Sequence, residues 1–334
     1  MRITLITVCY NNVTVIRTAL ESVLRQTWPE VEYLVVDGGS TDGTLDVLGE
    51  YEPLFAGRMR WVSEADRGMY DAINKGIRWA TGEMVGLLNA DDVLADDRVL
   101  ERVAGAFEDS SKGLKCESSK VRESGTANGA NRAKGEISRQ DAKAQSAIEP
   151  GNEREARLNP EPFEPAASAA FEPNRRPVDV IYGDIRFVAD RRGVGLDDLR
   201  AEPTLRYYSA RCWRPWMLQW GFMPPHPSVY IRRECFGRLG EYALDYKIAA
   251  DYALLVRFLR KARLSALYMP MRMVDMRVGG KSTKNWRSNL LLNHEIVRGN
   301  REAGYFCCLP MLAPKYVFKV WEFLGPRVKR FKRG

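Results

Sequence analysis

Short apolar runs alternate with stretches of helical periodicity through the first hundred residues of the chain. The apolar runs predict strands at residues 3–8, 33–36, 59–62 and 84–88. Between them, apolar residues recur every three or four positions and predict helices at residues 14–26, 44–51 and 69–80. Strands that alternate with helices predict an α/β fold with a mostly parallel, Rossmann-like sheet and helices on both faces.

The pattern breaks between residues 109 and 177, where apolar residues become scarce. This stretch has two aromatic residues, Phe163 and Phe171, and is rich in Ser, Ala, Gly, Glu, Lys, Asn and Pro. Such a composition buries too little apolar surface to offset the entropy of ordering the chain. We interpret 109–177 as a disordered insertion that carries no chemistry. Order is predicted to resume in strands at 178–184, 229–231 and 266–278 and in a helix at 249–260.

The net charge of +8 is concentrated near the end of the 334-residue chain. Residues 1–108 contain 10 Lys and Arg against 18 Asp and Glu, whereas residues 281–334 contain 12 against 3. In this basic tail, an apolar face with Trp321 and Leu324 precedes a dense basic cluster, which predicts binding to an anionic membrane surface. A helix docked on the main domain is the alternative. Because the basic excess does not lie on a sheet with exposed aromatic residues, nucleic acid is not an expected partner.

Several classes of protein are not expected from this sequence. It has no run of 18 or more apolar residues that would predict an ordinary membrane span, and its first residues follow a strand pattern rather than that of a signal peptide. Six cysteines form no CxxC pair and only two histidines occur, which argues against a zinc site or a disulfide framework. We expect a cytoplasmic protein that is peripheral on the inner face of the plasma membrane.

Acidic residues follow three of the predicted strands. Asp37 ends the second strand, Asp66 follows the third, and Asp91 and Asp92 follow the fourth. Such sheets bind ligands in the crevice outside the carboxyl ends of their strands. Two adjacent carboxylates repel each other unless a divalent cation relieves the repulsion, and Mg²⁺ or Mn²⁺ prefers oxygen ligands of this kind. A loop with two solvated aspartates is the alternative.

Five motifs in this order and spacing resemble those of the family 2 glycosyltransferases, which have the GT-A fold. They read TVCYNN at 7–12, VDGGSTDGT at 36–44, DRGMYDAINKG at 66–76, TGE at 81–83 and NADD at 89–92. The close similarity covers residues 1–108, and a looser one resumes at 178–280. The resemblance implies inverting transfer of a sugar from a nucleotide-diphosphate donor, with Mg²⁺ or Mn²⁺, to a glycan or lipid-linked acceptor.

The resemblance also implies roles for single residues, with the donor bound by 1–108 and the acceptor by 178–280. The nucleotide-sugar would be bound by Thr7, Tyr10, Asn11, Asp37, Asp66, Asn74, Lys75, Asn89 and Asp91. The metal would be held by Asp91 and Asp92, with Asp92 as the direct ligand, while Asn89 stands where relatives often have a third carboxylate. From the residues alone, Asp66 could instead be a helix N-cap, and Asn74 and Lys75 could lie on a solvated helix face.

The acceptor side is expected around Asp251. The segment 249–257 resembles the family segment whose acid deprotonates the acceptor hydroxyl, and inverting transfer needs one such carboxylate. Asp251 opens an otherwise apolar helix, so an N-cap is its alternative role, and Asp245 is the second candidate for the base. His226 and Ser228, in a loop that two prolines stiffen, would contact the acceptor.

Two other functions fit parts of the pattern. A sugar-nucleotide pyrophosphorylase would need a Gly-rich, Arg-containing loop after the first strand, where this chain has CYNN at 9–12. A degenerate transferase domain that only binds a nucleotide-sugar would lack the acidic motif or the base, and this chain has candidates for both. The sugar, the nucleotide and the acceptor do not follow from the sequence.

Overall fold

A computed structural model of the chain describes residues 1–111, 177–278 and 286–316. Most of the predicted insertion, at 112–176, and the basic end of the predicted tail, at 317–334, lie outside these residues, so both stay predictions. Over the described residues, no helix is long and apolar enough to cross a membrane.

The first half of the predicted fold is closely matched by the structure. All four predicted strands and all three predicted helices before residue 90 are present, and β5 and α4 follow them. The elements are β1 (Ile3–Cys9), α1 (Ile16–Leu24), β2 (Val31–Asp37), α2 (Thr44–Tyr51), β3 (Met59–Ser63), α3 (Met69–Trp79), β4 (Met84–Leu87), β5 (Val93–Leu94) and α4 (Val99–Ser111).

The second half contains more elements than the sequence pattern predicts. The predicted helix at 249–260 is α-helical only in its first part and continues as a π-helical segment, Val256–Lys261. The elements are β6 (Val180–Val188), α5 (Leu196–Ala201), β7 (Arg206–Tyr208), β8 (Tyr230–Arg232), α6 (Arg233–Leu239), α7 (Ala250–Leu255), β9 (Ala266–Arg277) and α8 (Trp286–Glu302).

One nine-stranded sheet joins the two halves, in the order β3-β2-β1-β4-β8-β6-β9-β5, with β7 paired to β6. The strands β3, β2, β1 and β4 are parallel, as predicted. The three-residue strand β8 runs antiparallel to both of its neighbours, β4 and β6, and β5 runs antiparallel to β9. The sheet is therefore parallel in the first half of the chain and mixed in the second half.

Both faces of the central strands are buried. Ile3 and Leu5 of β1 belong to a core cluster that includes residues of α1, α2 and α4. Ile6, also of β1, faces the opposite side of the sheet. It packs in a second cluster with Leu34 of β2 and residues of α3 and α7. Burial on two faces explains why these strands are continuous apolar runs rather than alternations of apolar and polar residues.

We predict that Gly82→Ala destabilises the fold whereas Gly105→Ala does not. A Cβ at Gly82 would lie 2.6 Å from Oγ1 and 2.7 Å from the backbone nitrogen of Thr4, so β1 would have to shift. Forced repacking of this kind costs about 1–3 kcal/mol. A Cβ at Gly105, within α4, would meet nothing within 4 Å, so alanine there is neutral or adds about 0.4–1 kcal/mol. Urea unfolding measures both variants, and equal midpoints would contradict the prediction.

Candidate active site

The loops after β1, β2 and β3 are held together by one buried carboxylate, that of Asp37. Its side chain is fully buried. Oδ2 accepts the backbone N–H groups of Gly39 at 2.9 Å and Ser40 at 2.8 Å and the hydroxyl of Ser63 at 2.7 Å. Oδ1 accepts the Ser40 hydroxyl and, at 3.4 Å, the Cys9 thiol. Burial alone raises the pKa of Asp37, but these hydrogen bonds outweigh it and hold the pKa below its usual value.

The resemblance implied a contact of Asp37 with the base or ribose of a nucleotide, and that contact stays a prediction. In this structure the buried carboxylate accepts hydrogen bonds from five donors of the protein. Asp37 thereby shapes the loops that reach the surface. Its acidic pKa keeps it charged at neutral pH, where it makes charge-assisted hydrogen bonds, the stronger kind.

Asn11 connects the hydrogen bonds around Asp37 to the exposed end of β1. Its N–H donates to the Ser40 hydroxyl at 2.7 Å, and its Oδ1 accepts the N–H of Thr41 at 2.9 Å. Asn11 has φ of 54°, a left-handed conformation that Asn tolerates better than most residues. The neighbouring Tyr10 side chain is 55% exposed. Asn11 thus positions Tyr10, and Tyr10 is available to a ligand.

Asp66 and Tyr10 meet over Gly38. A Cβ at Gly38 would lie 2.9 Å from Oδ2 of Asp66 and 3.5 Å from Cδ2 of Tyr10, so the missing side chain leaves room for both. Asp66 is not the N-cap of α3, because that position belongs to Gly68, whose N–H donates to Oδ1 of Asp66 at 2.8 Å. The aromatic ring of Tyr10 and the carboxylate of Asp66 therefore lie close together.

The Asp66 loop is supported by Lys75 of α3. The ammonium group donates to the carbonyl oxygen of Ala65 at 3.2 Å and forms an ion pair with Glu64 at 2.9 Å. In this structure Lys75 therefore supports the Asp66 loop, and its contact with the nucleotide-sugar stays a prediction.

The two aspartates of the acidic motif have different environments. Asp91 is partly exposed, whereas Asp92 is 1% exposed and its Oδ2 accepts the Asn89 amide at 2.7 Å. Burial, and secondarily repulsion from Asp91, raises the pKa of Asp92 well above its usual value. In this structure the Asp92 carboxylate is covered, so its role as the direct metal ligand stays a prediction.

Asp91 is the carboxylate left accessible to a cation. Among the described residues, no three His, Cys, Asp or Glu side chains come together in a metal-binding group. A cation held by Asp91 would therefore need oxygen atoms from the substrate and from water. Mg²⁺ is commonly bound in this way, through one or two carboxylates and substrate phosphates.

Arg277, at the end of β9, is a site residue that the sequence analysis missed. Its Nη1 donates to the backbone oxygen of Asp91 at 2.5 Å, and its Nη2 donates to the Thr18 hydroxyl at 3.0 Å. Burial lowers the pKa of this guanidinium, and the nearby Asp91 and Asp92 act in the opposite direction. No local motif marks Arg277, because only the pairing of β5 with β9 brings it to the acidic motif.

One cleft joins the acidic motif to the predicted acceptor side. This central cleft is lined by Asn89, His226 and Asp251 and by the apolar side chains of Val8, Tyr70 and Leu87, among others. Asp251 is partly exposed, and its Oδ1 accepts the N–H of Tyr252 at 2.8 Å. The N-cap of α7 is Ala249, so the alternative role of Asp251 as an N-cap does not hold.

His226 is held in the central cleft as a neutral ring. Its Nε2 lies 2.8 Å from the hydroxyl of Tyr242. Burial lowers the pKa of His226, and the nearby Asp251 only partly opposes this effect, so the imidazole is uncharged at neutral pH. A neutral imidazole beside a carboxylate can exchange hydrogen bonds with a hydroxyl without adding a positive charge.

The start of α7, which carries Asp251, is fixed by the carboxylate of Glu295, a residue that the sequence analysis missed. Glu295 of α8 accepts the N–H groups of Lys247 at 2.8 Å, Ile248 at 2.9 Å and Ala249 at 2.8 Å. These N–H groups belong to the N-cap Ala249 and the two residues before it, and a negative charge at a helix N-terminus is also favoured by the helix dipole. Glu295 therefore fixes the backbone two residues before Asp251.

Two predicted site residues are parts of the core instead. The hydroxyl of Thr7 is fully buried and lies 2.9 Å from the Tyr33 hydroxyl. Ser228 is also fully buried, and its hydroxyl donates to Gly183 and to Pro225 at 2.8 Å. Neither side chain lines the central cleft, and the contacts of Thr7 with the donor and of Ser228 with the acceptor stay predictions.

Two further candidates are occupied elsewhere. The Asn74 amide is buried, donating to the Tyr242 carbonyl at 2.8 Å and accepting the Tyr242 N–H at 2.9 Å, so it joins α3 to the backbone of Tyr242. Its contact with the nucleotide-sugar stays a prediction. Asp245, the second candidate for the base, forms an ion pair with Arg298 and lines a different surface cleft.

Comparisons with known proteins bear on this arrangement. Residues 4–154 match the model described as glycosyl transferase family 2. A PGL/p-HBAD biosynthesis glycosyltransferase from Mycobacterium bovis is 26% identical to the chain over 261 residues, which cover 78% of this chain and 70% of that protein.

Two solved structures have a similar fold. Mannosyltransferase PcManGT from Pyrobaculum calidifontis, in complex with GDP-Man and Mn²⁺, superposes with a TM-score of 0.51 at 18% identity, covering 96% of this chain and 69% of that one. TarS 1-349 from S. aureus, in complex with UDP-GlcNAc, gives a TM-score of 0.51 at 15% identity, covering 89% and 67%. This chain spans 40% of the longer TarS chain. At these identities the likeness concerns the fold, and it confirms the predicted GT-A class.

We predict that Asn74→Ala lowers stability and leaves nucleotide binding intact. The substitution strands a buried N–H and a buried carbonyl of Tyr242, at a cost of about 1–3 kcal/mol. Arg78→Ala, on the same helix, removes only a surface ion pair with Glu241 and costs about 1 kcal/mol or less. Thermal unfolding compares the two variants, and titration with UDP or GDP and Mn²⁺ tests binding. An unchanged melting temperature with lost nucleotide binding would return Asn74 to the donor site.

Proposed function

We propose, from the premise that the chain carries a domain of glycosyl transferase family 2, that it transfers a sugar from a nucleotide-diphosphate donor to an acceptor hydroxyl, with inversion. One observation carries the proposal: Asn89 of the acidic motif and Asp251 line the same cleft. A donor held at the motif would present its anomeric carbon to an acceptor held beside Asp251. Residues 1–108 would bind the donor and residues 178–280 the acceptor.

The donor side of the proposal rests on the exposed groups around Gly38. The Tyr10 ring offers a flat face for the base, and the Asp66 carboxylate beside it can accept hydrogen bonds from the base or the ribose. The complexes of PcManGT with GDP-Man and of TarS with UDP-GlcNAc support a nucleotide-diphosphate sugar as the donor class. Because one complex contains a uridine nucleotide and the other a guanosine nucleotide, they support donors of both kinds.

We further propose that Mg²⁺ or Mn²⁺ accompanies the donor. The accessible carboxylate of Asp91 would hold the cation together with oxygens of the diphosphate. When bound, the cation neutralises charge on the departing diphosphate. Arg277 holds the backbone of Asp91 and adds a fixed positive charge behind the motif. The Mn²⁺ in the PcManGT complex supports this part of the proposal.

Asp251 would act as the general base of a single displacement. Its carboxylate takes the proton of the acceptor hydroxyl while the hydroxyl oxygen forms a bond to the anomeric carbon. The bond from that carbon to the phosphate oxygen breaks on the opposite side, and the nucleoside diphosphate leaves with the electron pair. His226, neutral and within the same cleft, would hydrogen-bond and orient the acceptor.

The acceptor is proposed to be lipid-linked, a polysaccharide precursor or a glycolipid at the cytoplasmic face of the membrane. The name of the M. bovis relative, a PGL/p-HBAD biosynthesis glycosyltransferase, supports an acceptor of this broad kind. The basic, apolar segment 281–334 supports peripheral attachment to an anionic leaflet. The alternative, a non-catalytic nucleotide-sugar-binding scaffold, has no need of a carboxylate at position 251.

We predict that Asp91→Asn abolishes Mn²⁺-dependent binding of the donor nucleotide whereas Asp92→Asn largely preserves it. Asp91 keeps an accessible carboxylate, while Asp92 is buried, has a raised pKa and bonds to Asn89. Calorimetric titration with UDP and GDP, with and without Mn²⁺, measures the effect. Circular dichroism checks that both variants have the same fold. Loss of binding in Asp92→Asn alone would reverse the assignment.

We predict that Asp251→Asn keeps donor affinity and lowers turnover by about 10²–10⁴-fold, because only proton acceptance is removed. The control is Asp245→Asn, which removes a surface ion pair with Arg298 and should leave turnover within about threefold of the wild type, a difference of ~0.7 kcal/mol. Turnover is followed as nucleoside diphosphate released from UDP- and GDP-sugars with a membrane lipid extract as the acceptor source. Comparable rates in the two variants would remove Asp251 from the mechanism.

A further inference from the structure

Four large apolar side chains project from one corner of the acceptor half. Trp216 is 59% exposed and Phe306 is 73% exposed, the highest value for a large apolar residue in the described part of the chain. Trp220 and Leu309 are 37% and 42% exposed. We call Trp216, Trp220, Phe306 and Leu309 the aromatic face. An exposed apolar cluster of this size usually marks a binding surface.

The aromatic face has a rigid base, although it is built from two distant segments. The Gln219 amide donates to the Phe306 carbonyl at 2.7 Å, and the Cys307 thiol donates to the Gln219 carbonyl at 3.4 Å. Buried side chains alternate with the projecting ones along both segments, namely Leu218, Cys307 and Leu312. The exposed rings therefore stand on a packed base.

Arg260 adds a third segment to this base. It donates to the Trp216 carbonyl at 2.7 Å and to the Gln219 side chain at 2.5 Å, and its guanidinium lies 4.1 Å from the centre of the Tyr305 ring. These bonds hold the backbone beside Trp216 in place. The projection of the rings into solvent is consequently a property of the fold.

The surroundings of the aromatic face are basic. The segments 205–221, 256–264 and 303–316, which build it, contain no Asp or Glu. Arg211, Arg214, Lys261 and Arg263 in these segments are exposed. The chain then continues into residues 317–334, which hold six Lys and Arg against one Glu. Charge of one sign around an apolar centre indicates a partner that is apolar and bears negative charge.

An anionic bilayer has both properties. Indole and phenyl rings partition to the headgroup level, where one side is apolar and the other wet, and each nearby Lys or Arg adds about 1 kcal/mol of attraction to an anionic surface. A second copy of the chain fits less well, because a two-fold contact would oppose one basic rim to the other.

We propose that the aromatic face inserts into the interfacial layer of an anionic membrane, independently of residues 317–334. The inference rests on the proposed function for its biological setting and deepens the peripheral location given there. It also has a consequence for the site. The Tyr252 hydroxyl donates to the Leu218 carbonyl, within the base of the aromatic face, and Tyr252 follows Asp251 in the chain. Membrane contact would thus be mechanically joined to the helix that carries the base.

The test is vesicle binding of the full chain without donor or acceptor, so it succeeds or fails separately from transfer. Vesicles of phosphatidylcholine alone are compared with vesicles that contain about one third phosphatidylglycerol. The variant Trp216→Ser with Phe306→Ser removes the two most exposed rings of the face. The matched control, Leu54→Ser with Trp79→Ser, removes exposed apolar side chains elsewhere.

We expect the paired variant at Trp216 and Phe306 to bind anionic vesicles at least tenfold more weakly than the control, which should bind like the wild type. Lys261→Glu should weaken binding at low salt and have little effect at high salt, where surface charges are screened. A chain that ends at Tyr316 should retain measurable binding that still depends on Trp216 and Phe306. Circular dichroism confirms that each variant is folded.

Three results would overturn the proposal. The paired variant could bind as tightly as its control, or the chain that ends at Tyr316 could lose all binding, which would assign attachment to residues 317–334 alone. The third is concentration-dependent self-association that the Trp216 and Phe306 substitutions abolish, without any vesicle binding. That result would assign the aromatic face to a second copy of the chain.

Discussion

The geometry of the donor side depends on the buried charge of Asp37. Its carboxylate bonds to the loop after β2, to the end of β3 and to the end of β1. Through the Ser40 hydroxyl the effect reaches Asn11, and Asn11 sets the position of Tyr10 at the surface. Charged hydrogen bonds contribute about 1.5–3 kcal/mol each, so several of them on one buried group hold the three loops far more firmly than a surface contact would.

This constraint explains where prediction from the sequence succeeded and where it failed. Apolar periodicity identified every strand and α-helix before residue 90, because burial on two faces leaves a continuous signal. Motif resemblance identifies polar residues at the ends of these strands, but it does not give the orientation of single side chains. Asp37, Thr7 and Asp92 are polar residues of these motifs, and each side chain is buried in the structure. A motif shows that a polar group is needed, and only packing decides whether it faces a ligand or another loop.

Arg277 and Glu295 were missed for a different reason. Each acts on a residue far away in the chain: Arg277 on the backbone of Asp91, and Glu295 on the N-terminus of α7. Neither residue stands out in the sequence, because β9 also contains Arg272 and Asp275 and α8 contains several other charged residues. Partners of this kind become visible when the sheet order places β9 beside β5 and when α8 packs against α7.

The same long-range pairing brings one positive charge to the acidic first part of the chain. The first 108 residues carry an excess of acid although the proposed donor is itself an anion, so they cannot attract a diphosphate by their own net charge. The compensating guanidinium of Arg277 comes from the basic second half, across the β5–β9 pair. A cation at Asp91 would supply the remainder. The acidic motif therefore acquires its electrostatic setting only when both halves have joined in one sheet, which makes the donor site a property of the whole fold rather than of the segment that contains its motifs.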